Sequence, residues 1–170
     1  LATEAAHQLL PTIRSRCQTH LMVWPQAQAA QAWLQDQGLA LEDARVLLQA
    51  SGGRPNDALR YANQGLKAKH SQQLPQEIAH GQTAVFKDSA MADVVDVLHK
   101  LCHDLQASQQ GAAPRFFEAA HLPKASSLPA LQRWAQALAQ TRRHVEHPFN
   151  AGLMLEALVG QAQEALHSAS

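Results

Sequence analysis

Apolar residues recur along most of this chain at intervals of three and four, the spacing that gathers side chains on one face of an α-helix. Ala27, Ala30, Trp33 and Leu34 share a face after Trp24-Pro25, and Gly38 is a natural stop. A second short helix is expected to follow, with Glu42 and Asp43 in its first turn, where the helix dipole favours negative charge. Leu47, Leu48 and Ala50 form its apolar side, and Gly52-Gly53 ends it. Pro55 suits the first turn of a third helix carrying Ala58, Leu59 and Ala62, which stops at Gly65. The polar stretch 67–76, with a proline inside it, reads as a linker or the loose start of the next unit.

The most regular stripe comes next. Met91, Val94, Val95, Leu98, Leu101, Cys102 and Leu105 predict a helix of several turns, broken around Gly111. A short helix is predicted over 114–120, and an amphipathic one over 128–145 with Leu131, Trp134, Leu138 and Val145 inward. Asn150 is a good N-cap for a last helix, with Phe149 and Met154 at staple positions and Leu155, Leu158, Val159, Ala162 and Leu166 as the buried stripe. The first 18 residues differ: Pro11 to Gln18 has no helical period and too few apolar groups to bury itself.

Composition points the same way. The 170 residues include 32 Ala, 23 Leu and 21 Gln against 8 Val, 2 Ile and 5 Thr, which favours helix over strand and predicts an all-α fold. Lys and Arg balance Asp and Glu at 14 each, so neither a basic nucleic-acid surface nor an acidic tail is advertised. With aromatics at 5%, the composition argues against a base-stacking platform. Cys17 and Cys102 form no CxxC, which suits a reducing cytoplasm, and no stretch is long and apolar enough to span a membrane. Leu1 to Leu10 lacks the charged and apolar regions of a secretory signal, and the chain opens without Met, as if continuing something longer.

Candidate chemistry is sparse. No glycine is followed by lysine, so no phosphate-cradling P-loop occurs, and neither GxGxxG nor GxSxG is present. His99 and His103 lie four apart on one predicted helix, with Asp104 beside them. Such a set can share a metal, as in HD-type hydrolases. Both histidines lie off the apolar stripe, however, and no Asp follows Asp104 to complete a metal shell, so solvated helix surface is preferred. The same holds for His144, Glu146 and His147. Arg14 and Arg16 bracket Ser15 in an irregular segment. Arginine is always charged and grips phosphate oxygens with two N–H groups at once, although surface ion pairing is the ordinary fate of such a pair.

Leu9-Leu10-Pro11-Thr12-Ile13-Arg14-Ser15-Arg16-Cys17-Gln18 resembles the SRC-motif segment of bacterial DNA polymerase III clamp-loader subunits. Ala50-Ser51-Gly52-Gly53-Arg54-Pro55-Asn56-Asp57-Ala58-Leu59 resembles the start of the third lid helix in those AAA+ proteins. Leu98 to Leu105, Pro114-Arg115-Phe116-Phe117 and His147-Pro148-Phe149-Asn150 resemble the collar domain of the delta-prime type of subunit. Asn56 falls where ATP-hydrolysing members carry a phosphate-sensing arginine, which favours delta-prime over the ATP-binding tau/gamma type. Arg54, two residues earlier, could partly compensate.

The resemblance implies the end of an AAA+ core over 1–18, a helical lid over 19–66 and a collar over 70–170, with a nucleotide-binding-like core upstream. It implies a scaffold subunit with no cofactor of its own, which helps load the sliding clamp onto primer-template DNA. Its partners would be tau/gamma and delta subunits, with DNA and clamp reached through the assembly. Arg16 would be an arginine finger for ATP held by a neighbouring subunit. Ser15 would orient the loop and Cys17 would pack inside. Arg14 would meet phosphate, acidic groups or solvent. Phe116, Phe117, Leu122 and Leu128 are candidates for a collar interface, with ordinary core preferred for the two phenylalanines.

Overall fold

The computed structural model describes residues 3, 5–87, 89–124, 127–143 and 150–167. It is all-α: the described residues form eight α-helices and no strand. In chain order the helices are α1 (Pro11–Arg14), α2 (Ala27–Asp36), α3 (Leu41–Ala50), α4 (Pro55–Asn63), α5 (Ala68–Ala79), α6 (Met91–Gln109), α7 (Leu128–Arg142) and α8 (Ala151–His167). Single 3-10 turns occur at Ala6–Gln8, Thr83–Phe86 and Ala119–His121.

Two hydrophobic clusters organise these helices. The first is small: Ala30 and Leu34 of α2 meet Ala44, Leu47 and Leu48 of α3 and Ala58 of α4. It is the three-helix unit read from the sequence, although Trp33 stands at its edge, 38% exposed. Helix α2 ends at Gly38, whose φ of 94° is the left-handed conformation that lets the chain turn without a Cβ penalty. Pro55 occupies the first turn of α4, where its missing N–H costs nothing.

The second cluster is the main core. Val94, Val95, Leu98, Leu101, Cys102 and Leu105 of α6 run through its centre. Leu131, Trp134 and Leu138 of α7 and Leu158, Val159, Ala162, Ala165 and Leu166 of α8 close around them. Asn150 caps α8 as expected: its Oδ1 accepts the Leu153 amide at 3.1 Å. Val145, the His144, Glu146 and His147 cluster, and the Phe149 half of the staple lie outside the described residues.

Three expectations are corrected. Pro11–Arg14, read as irregular, forms the single helical turn α1, with Pro11 in its first turn. The stretch 67–76 is no linker, because α5 runs through it with Pro75 in its interior. The helix survives because Ala68, Ser71, Pro75, Ile78 and Ala79 form one buried stripe made mostly of small residues, which a scan for large apolar groups passes over. Its N-terminus is also held from outside, by Asp43 Oδ1 accepting the Ala68 amide at 2.7 Å. Helix α5 bridges the two groups of helices: it packs on α3 and on α8. The predicted helix over 114–120 is instead a bent segment leading into the 3-10 turn at Ala119–His121. Its backbone amides are taken by a side chain, as described next.

Candidate functional site

Arg14 ends the single turn of α1, and Ser15 follows as its C-cap. The turn is closed by the Ser15 amide on the Pro11 carbonyl at 2.9 Å and the Arg16 amide on the Ile13 carbonyl at 3.1 Å. Ser15 Oγ donates to the Thr12 carbonyl at 3.2 Å. The side chains of Arg14, Ser15 and Arg16 are all exposed, and among the described residues neither guanidinium has an acidic partner. Cys17 is exposed too, which corrects the expectation that it packs inside. Nothing among the described residues covers the segment around it.

Leu21, Met22, Val23 and Trp24 are 80%, 85%, 79% and 67% exposed on a stretch without regular structure. Among the described residues nothing covers these four consecutive apolar side chains. One contact ties this stretch to the three-helix unit: the Arg54 guanidinium lies 5.7 Å from the centre of the Trp24 ring. Arg54 also approaches Asp57 at 3.8 Å, and Asp57 is 3.3 Å from Arg60, so the start of α4 is a small surface ion network around exposed Asn56.

The other candidate, on α6, resolves into three separate roles. Asp104 is not on a solvated face: its side chain is 0% exposed. Its carboxylate accepts the amides of Arg115 at 2.8 Å, Phe116 at 2.7 Å and Phe117 at 2.8 Å, with His103 Nδ1 at 3.0 Å. It therefore acts as a backbone anchor whose acceptor sites are occupied. His103 is largely exposed and packs edge-on against Phe116, with ring centres 5.5 Å apart. His99 is half-buried and its Nε2 has no partner among the described residues. Among the described residues no three His, Cys, Asp or Glu side chains converge as a metal site. The sequence did hold a sign of the anchor. Asp104 follows Leu101 by three and precedes Leu105 by one, which places it on the border of the buried stripe.

Burial holds the His99 pKa below its ordinary 6.5, against the opposing hydrogen bond to the Leu138 backbone; the Arg142 charge lowers it further and Asp96 raises it. The folded state therefore takes up its proton at lower pH than the unfolded chain does. The stabilising contribution is complete above pH 6.5 and is lost as pH falls below it toward the folded value. Urea unfolding at pH 5 and pH 7.5 should show a loss of stability on acidification that is smaller in His99→Gln. Equal losses in both proteins would rule out His99 as the source.

Cys102 is the buried thiol. Burial pushes its pKa up to about 12, and its Sγ donates to the Leu131 carbonyl at 3.3 Å. Of the proposed interface residues, Phe117 belongs to the main core, and Leu122 and Phe116 pack against it. Leu128 is half-buried. No helix among the described residues is long and apolar enough to cross a membrane. No family model, curated protein or solved structure matches the chain.

Proposed function

We propose that this chain is the lid and collar portion of a clamp-loader subunit of the delta-prime type, a scaffold that offers Arg16 to ATP held by a neighbouring tau/gamma subunit. The observation that carries this is the outward-facing front of the chain. An exposed arginine without an acidic partner among the described residues is followed within eight residues by an exposed apolar strip, Leu21 to Trp24. A guanidinium that serves another polypeptide's nucleotide must face away from its own core, and an apolar strip needs a neighbouring domain to cover it. In this reading the strip, at the start of the lid over 19–66, is where the upstream AAA+ core packs.

The hydrophobic clusters support the rest of the assignment. A compact three-helix unit over α2 to α4 suits a lid, and the α6 to α8 bundle suits a collar. Uncharged Asn56 at the position of the phosphate-sensing arginine favours the non-hydrolysing subunit over a tau/gamma-type ATPase. DNA and sliding clamp are reached only through the assembly, consistent with the balanced charge.

Reconstitution tests the assignment. The full-length subunit, mixed with tau/gamma and delta subunits, should co-elute with them as one complex on size-exclusion chromatography. Separate elution at micromolar concentrations would overturn it.

A further inference from the structure

We infer that the segment Arg115–Glu118 is a strap that fixes the orientation of the three-helix unit on the main bundle; this does not depend on the clamp-loader assignment. Helix α5 cannot fix that orientation alone. Its start is held by Asp43 of α3 and its far half lies in the main core, so it is an axle common to both units. One axle leaves rotation about its own length open. Contacts away from the axle must block it.

The strap supplies them from two faces. Its inner face is the row of three amides that ends on buried Asp104 of α6. Its outer face grips the other unit: the Phe117 carbonyl accepts Gln49 Nε2 of α3 at 3.0 Å, and the Glu118 carboxylate pairs with Arg45. The Phe116 ring lies so close to Gly52 that a Cβ there would come within 2.9 Å of a ring carbon. Glu118 also accepts Gln72 Nε2 of α5 at 3.3 Å, so strap and axle are tied together. Lys100 adds one more crossing, donating to Tyr61 Oη at 3.0 Å while paired with Asp96 at 2.8 Å.

The two faces differ in strength. The Asp104 carboxylate is shut away from water and its bond to the Phe117 amide is buried, where a lost acceptor is costly. The Arg45–Glu118 pair is partly open to solvent, at 41% and 24%, where such a pair contributes at most about 1 kcal/mol. The inner face is thus the fixed anchor and the outer face the releasable one.

Nitroxide labels at exposed Ala32 on α2 and Glu156 on α8, in a Cys17→Ser background, report the orientation as a distance distribution measured by pulsed electron resonance. The unmodified strap should give one narrow distribution. Arg45→Ala with Gln49→Ala, which leaves Asp104 and the main core intact, should widen it roughly twofold, toward the mobility usual for domains with a small polar interface, with helical circular dichroism unchanged. Asp104→Asn should widen it as well. An unchanged width in the Arg45→Ala, Gln49→Ala protein overturns the inference, whatever Asp104→Asn does. Widening by Lys100→Met but not by the strap variants would assign the role to the Tyr61 contact instead and also overturn it.

Discussion

If Arg16 serves a neighbour's ATP as proposed, replacing it by Ala in the full-length subunit should lower the ATPase rate of the reconstituted clamp loader by about 10³-fold, the lower end of what an arginine finger supplies. Assembly of the complex should be unchanged. The size follows from the chemistry of the step. Negative charge on the transferring γ-phosphoryl group is stabilised by a cation placed against it after the subunits meet. A guanidinium does this with two N–H groups in fixed geometry, and it keeps its charge at any working pH. Arg16 has what the role needs within this chain. It is exposed, has no acidic partner among the described residues, and is held at the backbone by the Ile13 carbonyl. Arg16→Lys should recover only part of the rate, because an ammonium restores the charge and not the fork. Arg14→Ala should have a much smaller effect. ATPase measured at saturating ATP on gel-filtered complexes separates the outcomes. An unchanged rate in Arg16→Ala, with the complex intact, would remove the mechanistic half of the proposal while leaving the scaffold half standing.

The helices were legible in the sequence wherever large apolar residues mark the buried face. The α6 stripe from Met91 to Leu105 and the α8 stripe ending at Leu166 were read nearly residue for residue, because Leu and Val at helical spacing are hard to satisfy any other way. Helix α5 was missed because Ala68, Ser71 and Pro75 do its packing. Small residues bury well against a close neighbour, but alone they carry no hydrophobic signature, and Pro75 argues actively for a break. The segment after Pro114 was misread for a related reason. Phe116, Phe117 and the alanines that follow have a helical look, yet the chain bends at Arg115–Phe117, where three successive amides converge on Asp104, eleven or more residues earlier in the chain. Local propensity is silent about a bond made over that distance. At the candidate site the arginines were visible as residue types. Their exposure, and the exposed strip from Leu21 to Trp24, came only from the structure.

Asp104→Ala is expected to be among the most damaging single substitutions in the chain, costing about 3–5 kcal/mol, because donors that bonded to a buried carboxylate are left without it. Three backbone N–H groups would lose their acceptor at once, each worth about 1–3 kcal/mol if left buried and unpaired. The sum is reduced because Arg115 is exposed and its end of the segment can turn toward water, whereas Phe117 is fixed in the core and cannot. For a chain of this length each kcal/mol moves the thermal midpoint by about 2–4 °C, so a drop of roughly 10 °C is expected. Asp104→Asn keeps the shape and one acceptor oxygen but turns an N–H₂ toward the amides, and should lose about half as much. A core truncation such as Leu101→Ala makes the useful comparison, since it costs a similar ~2–5 kcal/mol by leaving a cavity. The two differ in where protection is lost. Hydrogen exchange at the amides of Arg115, Phe116 and Phe117 should accelerate strongly in Asp104→Ala under native conditions, ahead of the rest of the core. In Leu101→Ala those amides should stay bound to the carboxylate and exchange only with global unfolding. Slow exchange at all three positions in Asp104→Ala, or a midpoint within 2 °C of the parent (below the shift expected for 1 kcal/mol), would mean that the carboxylate does not hold this segment.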